Sequence, residues 1–106
     1  SEKVAMGWFL NGKVSAVLGT HTHVQTSDEK ILEGGTAYIT DVGMTGPLDS
    51  VIGIRKEVAL ERLLTQIPWK FDVATREIEL QGVVVELDSK TGRSMSIKRI
   101  RVPLNE

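Results

Sequence analysis

Asn11-Gly12 and Gly19 bracket a short apolar run, Val14-Ser15-Ala16-Val17-Leu18, which constrains the fold more than any other stretch of the chain. Asparagine and glycine both tolerate positive φ, so Asn11-Gly12 reads as a turn. The run is too short for an ordinary helix and shows no clean alternation. It reads as a β-strand buried on both faces, in a sheet covered by other layers. A second short strand is expected over Ala37–Thr40, after a turn at Gly34-Gly35. Asp41 and the glycine-containing loop Val42–Pro47 close it.

Helices are expected on either side of these strands. Ser1–Leu10 reads as the tail of one, with Val4, Met6, Trp8 and Phe9 available for an apolar face. Glu57–Gln66 reads as the clearest helix: Val58, Leu60, Leu63 and Leu64 are apolar, and Glu57, Glu61 and Arg62 turn to solvent. Pro68 ends it, because proline disfavours helical backbone at the preceding Ile67. Phe71 and Val73 suggest a short strand. Ile78–Leu87 and Met95–Leu104 flank Asp88-Ser89-Lys90-Thr91-Gly92, a spacing that suits a hairpin. Met95 and Ile97 have one parity, while Ile100, Val102 and Leu104 have the other. A bulge or a change of sheet is therefore expected near Lys98-Arg99. The element order predicts a mixed α/β layered fold.

Composition narrows the classes. A chain of 106 residues with 41% hydrophobic side chains fits one small domain, or part of a larger one. Thirteen basic against fourteen acidic residues leave no global electrostatic footprint for nucleic acid or an anionic membrane. No apolar run approaches the roughly 18 residues that a membrane helix needs. The absence of cysteine excludes disulfides, thiolate zinc sites and cysteine nucleophiles within the chain, and is compatible with a cytoplasmic location. The start, SEKVAMGWFL, has neither the layout of a signal peptide nor an initiator Met, and suggests a chain cut from something longer.

Both histidines lie in Gly19-Thr20-His21-Thr22-His23, directly after the first strand. In extended backbone, residues i and i+2 point to the same side, so the two imidazoles can converge on one location. Neutral imidazole is a common metal ligand, and loops after strands are where α/β folds place their sites. The plain alternative is two surface histidines, or one that caps a helix; spacing alone leans to it, and the adjoining strand and the absence of any other histidine bring the two readings level. Thr20 and Thr22 could supply hydrogen bonds behind the ligands or to a phosphate, or simply fit an extended backbone. Asp41 could orient a histidine, ligate a metal, or cap its own turn. Gly43 and Gly46 could leave N–H groups open to an anion, although the loop is neither a Walker sequence nor a dinucleotide fingerprint. Lys98, Arg99 and Arg101 read as a solvated strand face ahead of an RNA contact. Trp8 and Trp69 read as packing residues, and no serine has nucleophile-elbow surroundings.

Taken together, Gly19-Thr20-His21-Thr22-His23-Val24 and Gly34-Gly35-Thr36-Ala37-Tyr38-Ile39-Thr40-Asp41-Val42-Gly43-Met44-Thr45-Gly46-Pro47 resemble the C-terminal part of the YmdB-like bacterial metallophosphoesterases, of the calcineurin-like phosphoesterase superfamily. The likeness runs through nearly the whole chain. It implies a four-layer α/β/β/α fold with mixed sheets, in which residues 1–106 are the C-terminal portion of one domain and the N-terminal metal-binding half is absent. It implies two divalent or trivalent metal ions, iron or manganese ahead of zinc, with His21 and His23 as ligands and the other ligands outside this chain. Thr20, Thr22, Asp41, Gly43 and Thr45 become candidates for contacts behind the ligands or to substrate.

The implied reaction is hydrolysis of a small-molecule phosphodiester, such as a 2′,3′-cyclic nucleotide, by an oligomeric enzyme. A two-metal site needs ions roughly 3.5–4 Å apart and a carboxylate to offset their repulsion. Two histidines cannot hold such a pair, so the isolated chain is expected to have little or no activity. It is also expected to expose the apolar surface of Val14–Leu18. The rival expectation is a non-catalytic oligomerisation or interaction module, built on an open sheet edge.

Overall fold

The computed structural model describes residues 1–105, as a mixed α/β chain with two three-stranded sheets. In chain order the elements are α1 (Glu2–Leu10), β1 (Ala16–Leu18), β2 (Lys30–Ile31), β3 (Ala37–Ile39), β4 (Gly46–Pro47), α2 (Lys56–Thr65), β5 (Ile78–Leu87) and β6 (Ser94–Pro103). The chain divides into two compact units. One comprises Ser1–Met44 and Gln81–Ile100, the other Thr45–Leu80 and the residues from Arg101 onward.

In the first unit β3 is the centre of a mixed sheet of order β1-β3-β2. It pairs parallel to β1, with Leu18 opposite Ile39, and antiparallel to β2. Ala37, Tyr38 and Ile39 are all buried, as a strand covered on both faces should be. β1 does not share that environment. It is an edge strand, its residues are half-buried at best, and Leu18 is 46% exposed. The expectation of two buried faces therefore holds for β3 and fails for β1, while Val14 and Leu18 form the exposed apolar surface anticipated there.

The turn after α1 is tied to the sheet by polar staples. The Gly34 N–H donates to Asn11 Oδ1 at 2.9 Å, and the Gly12 N–H to Thr36 Oγ1 at 2.8 Å. The buried Thr36 hydroxyl in turn donates to the Val14 carbonyl. α1 lies against the same sheet through Gly7, whose missing side chain leaves room for the Tyr38 ring.

In the second unit, α2 ends where Gln66 turns left-handed and returns its N–H to the Arg62 carbonyl, a common helix stop. Its buried residue is Ala59, whereas Leu60, Leu63 and Leu64 are exposed. Leu63 and Ala59 border an open apolar groove with Val51, Ile54 and Phe71. The apolar stripe read from periodicity is thus real as a pattern but largely uncovered. No strand forms at Phe71–Val73; Val73 makes a single bridge to Ile54.

The hairpin forms as expected, with β5 and β6 adjacent and the Gly92 N–H donating to the Asp88 carbonyl. β6 runs unbroken, so there is no change of sheet. Its more buried positions, Ser94, Ile97 and Ile100, lie three apart, a spacing that regular alternation cannot place on one face. Arg99 pairs with Glu29 and Arg101 with Glu79, consistent with the solvated face assigned to this basic run. Trp8 and Trp69 are about half exposed, so neither is a core packing residue.

Candidate functional site

Parallel pairing of β1 and β3 sends the chain out of both strands at the same end of the sheet. The segments Gly19–His23 and Thr40–Gly43 therefore begin side by side, and they stay joined. The Gly19 N–H donates to the Ile39 carbonyl at 3.0 Å, and the Val42 N–H to the Gly19 carbonyl at 2.9 Å.

The histidine segment is not extended. His21 has φ 114° and His23 φ 66°, both on the left-handed side where side-chain-bearing residues are uncommon. This corrects the alternation argument: the two residues do not share a strand face, and their placement comes from an irregular loop. Each such backbone state costs about 1–3 kcal/mol and persists only where surrounding contacts hold it. Both histidines are exposed.

The holding contacts converge on Thr22, between the two histidines. Its N–H donates to Asp41 Oδ2 at 2.7 Å, and its hydroxyl donates to the same oxygen at 2.6 Å. The other oxygen, Oδ1, accepts the Gly43 N–H at 2.9 Å. Lys3, from α1, donates through Nζ to the Thr20 carbonyl and lies 3.7 Å from Asp41 Oδ2. Asp41 is wholly buried. Burial by itself would raise its pKa, but the Thr22 hydroxyl, the Gly43 and Thr22 amides and the Lys3 charge outweigh that and hold the carboxyl below its ordinary value.

Asp41 thus performs one of the roles open to it from sequence, capping its own turn through Gly43, and it also bonds Thr22 between the two histidines. Both of its oxygens accept from protein donors, and the side chain is wholly buried. Gly43 does not offer a free amide to an anion either, since its N–H is used by Asp41, and the next N–H, of Met44, donates to Gln81 Oε1 at 3.0 Å. Thr20 contributes its carbonyl to Lys3. Thr45 belongs to the second unit.

Two residues of this neighbourhood escaped sequence reading. Lys3 acts across 17 positions, with no local motif to mark it. Asp28 accepts from the Thr40 N–H and hydroxyl and from the Thr26 hydroxyl, fixing the strand end that carries Asp41. Its place in a polar stretch carried no signal.

The chain offers two imidazoles, and among the described residues no group of three or more His, Cys, Asp or Glu side chains is placed to hold an ion.

A family model described as YmdB-like protein matches residues 1–100. The chain belongs to the YmdB-like family. Among curated relatives of this YmdB-like chain is the 2′,3′-cyclic-nucleotide 2′-phosphodiesterase of Bacillus subtilis (strain 168), 51% identical over 102 residues, which cover 96% of this chain and 39% of the relative. Two solved structures share the fold. A hypothetical protein from Thermus thermophilus superposes with a TM-score of 0.89 at 41% identity, covering 96% of this chain and 40% of that one. A novel phosphatase from Mycoplasma pneumoniae superposes with a TM-score of 0.90 at 38% identity, covering 96% and 37% respectively. The YmdB-like chain spans about two fifths of the length of each. Among the described residues no helix is long and apolar enough to cross a membrane.

Proposed function

We propose that this chain is the C-terminal portion of a metal-dependent phosphodiesterase, and that His21 and His23 are two of its metal ligands. The observation that carries the reading is the histidine loop itself. Two imidazoles are held on a left-handed, braced segment at the strand ends of a YmdB-like fold.

The name of the Bacillus subtilis relative supports the substrate class: a 2′,3′-cyclic nucleotide or a similar small phosphodiester. Bound metal ions in such a site would activate water and offset charge on the phosphoryl group. Histidine and oxygen donors suit iron or manganese, with zinc as a further candidate. His21 and His23 would supply nitrogen donors from one side, and the rest of the shell would come from polypeptide outside this chain. The cytoplasm as location and a homo-oligomeric assembly belong to the same proposal.

The test is substitution in the intact protein. His21→Ala and His23→Ala should each lower bound metal, measured by elemental analysis, and reduce hydrolysis of a 2′,3′-cyclic nucleotide at least a hundredfold. Full metal content in both variants would overturn the ligand assignment. It would favour the rival reading of a non-catalytic interaction module, for which the exposed Val14 and Leu18 beside edge strand β1 are the specific support.

A further inference from the structure

A ligand loop can be shaped by the metal it binds, or it can be shaped beforehand by the protein. The contacts around Thr22 bear on which applies here. The residue between the two histidines is held twice by one buried carboxylate oxygen, through its amide at 2.7 Å and its hydroxyl at 2.6 Å. The residue before His21 is held by Lys3, which also faces that oxygen. The second carboxylate oxygen is fixed by Gly43, so the clamp cannot rotate without losing a bond.

We propose that Asp41, supported by Lys3 and acting through Thr22, is the positioning residue of the histidine loop: it sets the left-handed backbone of His21 and His23 in advance of metal. It is not itself a ligand. This inference rests on the reading of His21 and His23 as metal ligands. It adds to that reading the device that presents them, and it explains why a carboxylate so near the loop is wholly buried.

Asparagine at position 41 would keep the shape but offer one acceptor oxygen where two are used, so either the Thr22 or the Gly43 bond fails. Valine at position 22 would remove the hydroxyl and keep the amide, while serine would keep both. The test uses the intact protein, stripped of metal and titrated calorimetrically with Mn²⁺ alone. In parallel, amide hydrogen exchange at Thr22 is followed in the metal-free state.

Asp41→Asn should weaken Mn²⁺ binding by about tenfold or more, the range found for partners that orient metal ligands. It should also speed Thr22 amide exchange in the metal-free protein at least tenfold. Thr22→Val should weaken binding in the same direction, and Thr22→Ser should restore it to within about threefold of the original. If Asp41→Asn does not fold, the Thr22→Val and Thr22→Ser pair decides the matter.

Unchanged Mn²⁺ affinity and unchanged Thr22 exchange in Asp41→Asn, or unchanged Mn²⁺ affinity in Thr22→Val where that pair decides, would overturn the proposal even if His21→Ala and His23→Ala lose metal. Should the histidine variants keep their metal instead, the ligand reading fails, and fast Thr22 exchange in Asp41→Asn would still support the clamp.

Discussion

Gly19 faces the carbonyl oxygen of Thr40 so closely that a Cβ built on it would lie 1.9 Å from that oxygen. The two residues close the parallel strands β1 and β3, and the approach lets the Gly19 carbonyl accept the Val42 N–H. A side chain here would push the histidine loop away from the segment that carries Asp41. The obstacle is backbone, which cannot swing aside as a side chain can.

Gly19→Ala is therefore expected to cost about 3 kcal/mol or more, at the upper end for overpacking. Denaturant unfolding of the variant measures it. A loss under about 1 kcal/mol would mean that the two strand ends can separate cheaply.

A second close approach sets two effects against each other. A Cβ on Gly7 would lie 2.6 and 2.7 Å from ring atoms of Tyr38, which is 3% exposed and whose hydroxyl lies 2.9 Å from Thr40 Oγ1. Alanine in the middle of a helix gains about 1 kcal/mol over glycine. Overpacking against a buried ring costs about 1–3 kcal/mol. Gly7→Ala should come out between neutral and destabilising by about 2 kcal/mol, read from the urea midpoint. A rise in the midpoint would show that the ring yields easily.

Asp28 supplies a pH test. Its burial acts to raise the pKa, but hydrogen bonds from the Thr40 hydroxyl, the Thr26 hydroxyl and the Thr40 amide outweigh burial and lower it. A carboxyl with a depressed folded pKa contributes stability that is fully present above the unfolded value of about 3.9, and that is lost as pH falls through the folded value. Asp28→Asn should therefore lower stability at neutral pH and flatten the acid limb below about pH 4. Melting curves from about pH 6 down to about pH 2 check this. An acid limb as steep as that of the original protein would remove Asp28 from the set of groups that drive acid unfolding.

The local elements were legible because their signals are local. The Asp88–Gly92 loop, the Asn11-Gly12 and Gly34-Gly35 turns and the segment of α2 all follow from residues within a few positions of one another. What stayed hidden depends on distant partners. Burial of β3 rather than β1 is decided by strand order, not by the apolar content of either run. The leucines of α2 keep their periodicity whether or not anything covers them.

The candidate site shows the same division. His21 and His23 stand out in the sequence as the chain's only histidines. Their backbone does not, because it answers to a carboxylate 19 residues beyond Thr22 and an ammonium group 17 residues before Thr20. A reading confined to neighbours in sequence defaults to extended geometry and misses both.

The brace at Thr22 also bears on transplantation. Copying the pentapeptide from Gly19 to His23 into a foreign scaffold would carry the imidazoles without the shape that presents them. A workable graft has to bring the anchoring carboxylate and ammonium along, together with the parallel strand ends that let glycine meet a carbonyl.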